Sequence, residues 1–213
     1  MKRLSFLSVL FLAVFAGCTK DDGSIKIVED VCTQMDDNAF ASYCRSEFDT
    51  DKDGKVSMQE ASVVEFIAIK EKGISSLKGL KYFFNLKSLD CSQNDLSSLD
   101  ISGNVSLTSL NCNNNRLTSL DTSKNIQLQS LYVSDNDITS LDISNNKRLV
   151  YFKCNGNRLS TLNISMLQWL LCLSYTTSFG YQKDGTITIT DTKKHWGVPP
   201  SDNEEAGIKW NWK

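Results

Sequence analysis

The sequence predicts an α+β solenoid. It is a right-handed stack of near-identical coils that contribute short parallel strands, closed by helices at the N-terminal end and by β-structure at the C-terminal end. Three observations predict it. Four segments of 21 residues repeat without a break over residues 86–169. Every repeat holds two short runs in which apolar side chains alternate with polar ones, the period of a strand. The stretches before and after these four segments do not carry the full 21-residue pattern, as closures for two exposed ends require.

Taken in chain order, Met1-Lys2-Arg3 is a basic start, followed by an apolar stretch from Leu4 to Ala16. That stretch is shorter than the roughly 20 apolar residues that span a bilayer, and it fits the core of a secretion signal. It runs into Phe15-Ala16-Gly17-Cys18, small residues directly before a cysteine. This resembles the lipobox of bacterial lipoproteins, with Phe15 where leucine is usual. The resemblance implies cleavage before Cys18 and lipidation of Cys18, hence attachment to a membrane through a lipid anchor. Several acyl chains, at about 0.8 kcal/mol per buried methylene, would hold the protein firmly. Lys20-Asp21-Asp22 after the cysteine resembles a surface-export signal of Gram-negative lipoproteins, which places the chain at the bacterial outer membrane, exposed to the outside. The expected organisation is a signal segment at residues 1–17, a linker at 18–30, a helical closure at 31–73, repeats at 74–170 and a β closure at 171–213.

Within the helical closure, Phe40, Cys44 and Phe48 recur at helical spacing, and so do Val63, Phe66 and Ile67. Between them runs Phe48-Asp49-Thr50-Asp51-Lys52-Asp53-Gly54-Lys55-Val56-Ser57-Met58-Gln59-Glu60. Carboxylates at alternate positions, a glycine for the sharp turn and a terminal glutamate resemble the EF-hand calcium loop. The resemblance implies calcium held by Asp49, Asp51, Asp53, the carbonyl of Lys55, Ser57 and a bidentate Glu60. EF-hands usually pair, and the dockerin module also uses two loops, whereas this chain has one. Its helices are therefore expected to pack on the open end of the solenoid, with calcium as a staple.

The repeats read LKSLDCSQNDLSSLDISGNVS from Leu86, LTSLNCNNNRLTSLDTSKNIQ from Leu107, LQSLYVSDNDITSLDISNNKR from Leu128 and LVYFKCNGNRLSTLNISMLQW from Leu149. The pattern LxxLxCxxNxLxxLDIxxN resembles the leucine-rich repeat in the short form of bacterial surface proteins, with Ile74 to Leu80 as a degenerate lead-in coil of the internalin-like kind. Leu86, Leu89, Cys91, Leu96, Leu99 and Ile101 are the inward set of one coil. Their burial cannot offset the ordering of a whole coil's backbone, so one coil is unstable alone and stacking is obligatory. A parallel strand is expected at the first run of each coil and a shorter strand or extended segment at the second. Asn94, Asn115, Asn136 and Asn157 are expected to bond the unpaired backbone groups of the turns. Asp100, Asp121 and Asp142 are expected to cap their own turns.

Outward positions of the second run are monotonous serines and threonines, but those of the first run differ in every coil. They include Lys87, Asp90, Asn111, Gln129, Tyr132, Tyr151 and Lys153. Exposed tyrosine beside lysine suits a contact surface, since tyrosine supplies area at low entropic cost. These residues are the candidate binding face.

Cysteines follow the same logic. Cys91, Cys112 and Cys154 share one repeat column with Val133, a small apolar slot, and read as buried thiols. Cys32 and Cys44 remain open to bridging in an exported chain. At the C-terminal end, Thr186–Thr190 and Gly207–Trp212 read as strands, and Trp196, Trp210 and Trp212 could cover the last coil or form a glycan platform.

With 23 basic and 25 acidic residues, and no basic stripe, nothing points to nucleic acid. One histidine, no serine-elbow motif and no phosphate-cradling glycine loop give no support to an enzyme. The sequence therefore reads as a surface-anchored module that binds a protein or glycan, with a structural envelope component and a dockerin-like docking module as alternatives.

Overall fold

The computed structural model describes residues 28–163, together with the strand backbones at 177–178, 187–191 and 208–212. A six-stranded parallel sheet runs the length of the stack in the order β1 (Phe66–Ala68), β2 (Ser88–Asp90), β3 (Ser109–Asn111), β4 (Ser130–Tyr132), β5 (Tyr151–Lys153) and β7 (Thr177–Ser178). Leu89, Leu110, Leu131 and Phe152 stand in register across β2 to β5, and all four are buried. The repeat period thus becomes a ladder of identical inward positions about 4.8 Å apart.

The second run of each coil is extended rather than a strand, except in the last described coil, where Thr161–Asn163 forms β6. That strand is the first of a separate three-stranded parallel sheet with β8 (Ile187–Asp191) and β9 (Ile208–Trp212). Both C-terminal strands read from the sequence are therefore present. Trp196 lies outside the described residues, as do Cys18 and the rest of the N-terminal 27 residues.

Helix α1 (Asn38–Phe48) begins at Asp37, whose Oδ1 accepts from the Ala39 and Phe40 amides at 2.9 and 3.0 Å. This satisfies two of the donors a helix start leaves open. The other oxygen of Asp37 accepts from the Ser75 amide at 2.8 Å, so the same carboxylate ties the helix to the lead-in coil. Phe40 and Phe48 pack their rings on Phe83, with centroids 6.5 and 5.5 Å apart. Helix α1 therefore packs against the lead-in to the solenoid. Tyr43 completes the seal: the Ala68 amide, on the open edge of β1, donates to its hydroxyl at 3.3 Å.

One expected element is corrected. Helix α2 (Met58–Ser62) is a single short turn, and Val63, Phe66 and Ile67 do not form a helical face. Phe66–Ala68 is instead β1, paired with Ser88–Asp90, so the sheet starts ahead of residue 74. Strand alternation buries Ile67 and turns Phe66 outward, 66% exposed, while Val63 is 71% exposed. The spacing of three apolar residues was compatible with either geometry. Pairing with β2 decides it, because a three-residue segment gains far more from a strand ladder than from an unfinished helix.

Candidate metal loop and binding face

The loop between α1 and α2 brings three carboxylates together. Ligand oxygens of Asp49, Asp51 and Asp53 all lie within 4.8 Å of one another. Backbone amides shape the cluster: Gly54 donates to Asp49 at 2.9 Å, Asp53 to Asp51 at 3.1 Å and Lys55 to Asp53 at 2.8 Å. Gly54 sits at φ 86°, a left-handed conformation that costs glycine nothing. Hard oxygen donors in this arrangement fit a hard divalent cation.

Glu60 stands apart from that cluster. Its Oε1 accepts from the Thr50 amide at 2.6 Å and the Thr50 hydroxyl at 2.8 Å. Its Oε2 accepts from the amide and hydroxyl of Ser57 at 2.8 and 2.9 Å. Ser57 in turn accepts from the Glu60 amide, closing a reciprocal cap at the start of α2. These donors, the Ser57 amide foremost, hold the Glu60 carboxyl well down, at about 2. Glu60 clamps the two ends of the loop, and Ser57 is engaged with it.

A feature invisible in the sequence pattern joins the loop to the N-terminal segment. Val56 lies at the centre of the loop's return arm, and its backbone is paired on both sides. The Val31 amide donates to the Val56 carbonyl at 2.9 Å, and the Val56 amide donates to Asp30 Oδ1 at 3.1 Å. Asp30 also accepts from the Cys32 amide at 2.9 Å and from Arg45 of α1 at 3.1 Å. Although Asp30 is buried, these donors lower its pKa against the upward pull of desolvation. The N-terminal segment thus stands where a second loop would otherwise be needed.

On the outer face of the sheet the register sorts residues into rows. The first strand positions are Phe66, Ser88, Ser109, Ser130 and Tyr151. The third positions are Ala68, Asp90, Asn111, Tyr132 and Lys153. Lys87 and Gln129 immediately precede their strands. Lys87 is engaged by Glu65 in an ion pair at 2.6 Å, and Asp90 caps Ser92 through its amide at 3.0 Å. Lys153 lies over the Tyr132 ring, 5.9 Å from its centroid. The sequence-predicted face is therefore assembled as one surface. Phe66 was missed, because its membership depends on β1 being a strand.

Two asparagine ladders hold this face in place. Asn115 is representative of the first: Oδ1 accepts from Leu96 N of the preceding coil, and Nδ2 donates to the Cys91 and Cys112 carbonyls at 3.0 and 3.2 Å. Each asparagine thus ties its turn to the coil before it. The second ladder is Asn104, Asn125 and Asn146, present in the repeat pattern but given no role there. Its amides donate to carbonyls of the previous coil, as Asn125 does to Ile101 at 3.0 Å and Asn104 at 2.9 Å. Asn104 Oδ1 and Asn125 Oδ1 are buried without a protein partner, whereas Asn146 Oδ1 accepts from the Thr122 hydroxyl at 2.6 Å. Asp100, Asp121 and Asp142 each accept from the serine amide two residues on, at 2.8–2.9 Å, as self-caps.

The thiols of Cys91, Cys112 and Cys154 are buried. Desolvation raises all three, Cys112 to about 12, which keeps them protonated and unreactive.

With the stack, its ladders and its thiol column established, known structures can be compared. The functional domain of InlJ from Listeria monocytogenes, which includes a cysteine ladder, superposes with a TM-score of 0.69. It shares 23% identity, and the match covers 89% of this chain and 45% of that one. The fold is that of a leucine-rich repeat solenoid. The internalin InlF of the same species matches at a TM-score of 0.60 and 16% identity, over 87% of this chain and 66% of that one. This chain spans less than half of the InlJ domain and about two thirds of InlF. No family model matches the sequence, and no curated protein does.

Proposed function

We propose that this chain is an extracytoplasmic binding module whose outer sheet face engages a protein or glycan, with calcium bound at the Asp49 loop as a clamp on the N-terminal closure. One observation carries the binding reading. The ladders, caps and inward columns repeat nearly unchanged from coil to coil, while the outer face varies in every strand and carries Phe66, Tyr132 and Tyr151. Phe66 and Tyr151 are exposed and Tyr132 half-buried, and aromatic side chains on a rigid surface supply contact area with little entropy to lose. The internalin-type neighbours support the fold on which such a face is displayed. Residues 1–18 support the placement: the lipobox-like sequence would anchor the module at the outer membrane through Cys18.

The calcium reading rests on the three clustered carboxylates and on the position of their loop. It bridges α1 and α2 and is backed by Val31, so a cation there would fix the closure to which β1 is sealed. Extracellular calcium saturates sites with affinities of about 10⁻⁴–10⁻³ M, so such a clamp needs no signal.

The test of the face is a glycan array and a proteomic capture, each run with the parent chain and with Phe66→Ala, Tyr132→Ala and Tyr151→Ala combined. A ligand retained by the parent and lost by the variant supports the reading. A ligand held equally by both places recognition elsewhere. Phe66 is mostly exposed, so its replacement alone should shift stability by no more than about 0.5 kcal/mol, which separates binding loss from unfolding.

A further inference from the structure

Cys32 and Cys44 are 3% and 0% exposed, in the core that joins the N-terminal segment to α1. Cys32 lies in the 3-10 turn Val31–Gln34, directly after the residue that backs Val56 of the metal loop. Cys44 precedes Arg45, whose guanidinium reaches Asp30 at 3.1 Å. The Asp30–Arg45 pair thus fixes the two cysteine-bearing segments side by side. Both thiols belong to one buried cluster and are free in this structure. The two sulfurs act on each other: Cys44 draws Cys32 below the ordinary thiol value, while Cys32 and burial push Cys44 far above it. Cys91, Cys112 and Cys154 differ: they are inward members of a repeat column, each a coil or more apart.

We infer that Cys32 and Cys44 are a cross-linking site, closed to a disulfide in an oxidising compartment, and that the bond locks the N-terminal segment behind the metal loop. The compartment follows from the export reading above; the geometry does not depend on it. The oxidant is a protein disulfide of a thiol oxidoreductase, or oxidised glutathione. The Cys32 thiolate attacks one sulfur of that disulfide and expels a thiolate, leaving a mixed disulfide. The Cys44 sulfur, losing its proton, then displaces the second thiolate and forms the Cys32–Cys44 bond. Two thiols give up two electrons and two protons, and the oxidant disulfide becomes two thiols. Burial of both sulfurs places this step during folding, before the N-terminal segment docks.

The consequence concerns the metal loop. Val31 and Asp30 supply the hydrogen bonds that hold Val56. A covalent tie at the adjoining Cys32 keeps that backing in place when the N-terminal segment would otherwise fray, as chain ends do.

The experiment uses the full chain, refolded in a glutathione redox buffer, quenched in acid, denatured and alkylated without reduction. Peptide mass spectrometry should find Cys32 and Cys44 joined and lighter by two hydrogens, with Cys91, Cys112 and Cys154 alkylated. Protein refolded under reducing conditions should melt about 5–10 °C below the oxidised form. Cys32→Ala should abolish that redox dependence. Alkylation of both Cys32 and Cys44 under oxidising conditions overturns the inference, and so does pairing of either with another cysteine. Because the buffer sets the redox potential, failure of the export reading would leave this result standing, and failure here would leave the binding face untouched.

Discussion

Replacing Asn136 by alanine isolates the force that joins one coil to the next. Asn136 is fully buried; its Nδ2 donates to the carbonyls of Cys112, Val133 and Ser134 at 3.0, 3.2 and 3.1 Å. Its Oδ1 accepts from the Leu117 amide at 3.0 Å. The three carbonyls each keep a second donor, from Asn115, Asn157 and Asn114 N respectively. Leu117 N–H loses its acceptor in a dry core. An orphaned buried donor costs about 1–3 kcal/mol, and each lost hydrogen bond about 0.5–1.5 kcal/mol. The expected loss is therefore about 3–5 kcal/mol. Asn125→Ala is the control in the second ladder. It removes two bonds to carbonyls that retain backbone donors, and it also removes an unpaired buried oxygen. Its expected loss is about 1–2 kcal/mol. Asn136→Asp keeps an acceptor for Leu117 but faces oxygen toward three carbonyls, and should be no better than alanine. Urea unfolding by circular dichroism and tryptophan fluorescence reads all three, with coincident transitions required of a two-state treatment. Equal losses for Asn136→Ala and Asn125→Ala, or the reverse order, would refute the claim that the first ladder supplies the stronger inter-coil tie.

Further outcomes follow from the closure and the thiol column. Glu60 has a folded-state pKa below its unfolded one, so its contribution is complete above about pH 4.5 and vanishes as pH falls toward 2. Glu60→Gln should cost about 2–3 kcal/mol at pH 7 and flatten the stability profile between those limits; an unchanged acid limb in denaturant titrations counts against the clamp. Calcium should raise the melting temperature of the parent chain but not of Asp49→Ala, measured by scanning calorimetry with and without chelator. Equal melting of the parent in both conditions would remove the calcium clamp. Val133→Cys, which completes the column of Cys91, Cys112 and Cys154, should change stability by less than about 1 kcal/mol, since the slot already accepts that side chain. A larger loss would mean that the column is not interchangeable.

The parts legible in the sequence were those fixed by periodicity. Leu89, Leu110, Leu131 and Phe152 take the same inward place because each coil repeats the same local geometry. The clustering of the Asp49, Asp51 and Asp53 carboxylates was legible for a similar reason: short-range chain geometry alone brings alternate residues of a tight turn together. Phe66 was not legible, since its neighbourhood satisfies helical and strand spacing alike. The pairing of the Glu60 carboxylate with Thr50 and Ser57 was not legible either, since it is set by which loop amides point toward it.

From the chain alone came the coil, its inward columns, the asparagine and aspartate turns and the carboxylate-rich loop, because each depends on residues close in sequence. Tertiary structure decided where the stack begins, that Val31 backs Val56, that Tyr43 seals the open edge of β1, and that each asparagine bonds the coil before its own. Those contacts join separate stretches of chain through backbone amides and carbonyls, groups that nearly every residue carries. Their partners are therefore chosen by packing geometry and not by residue type.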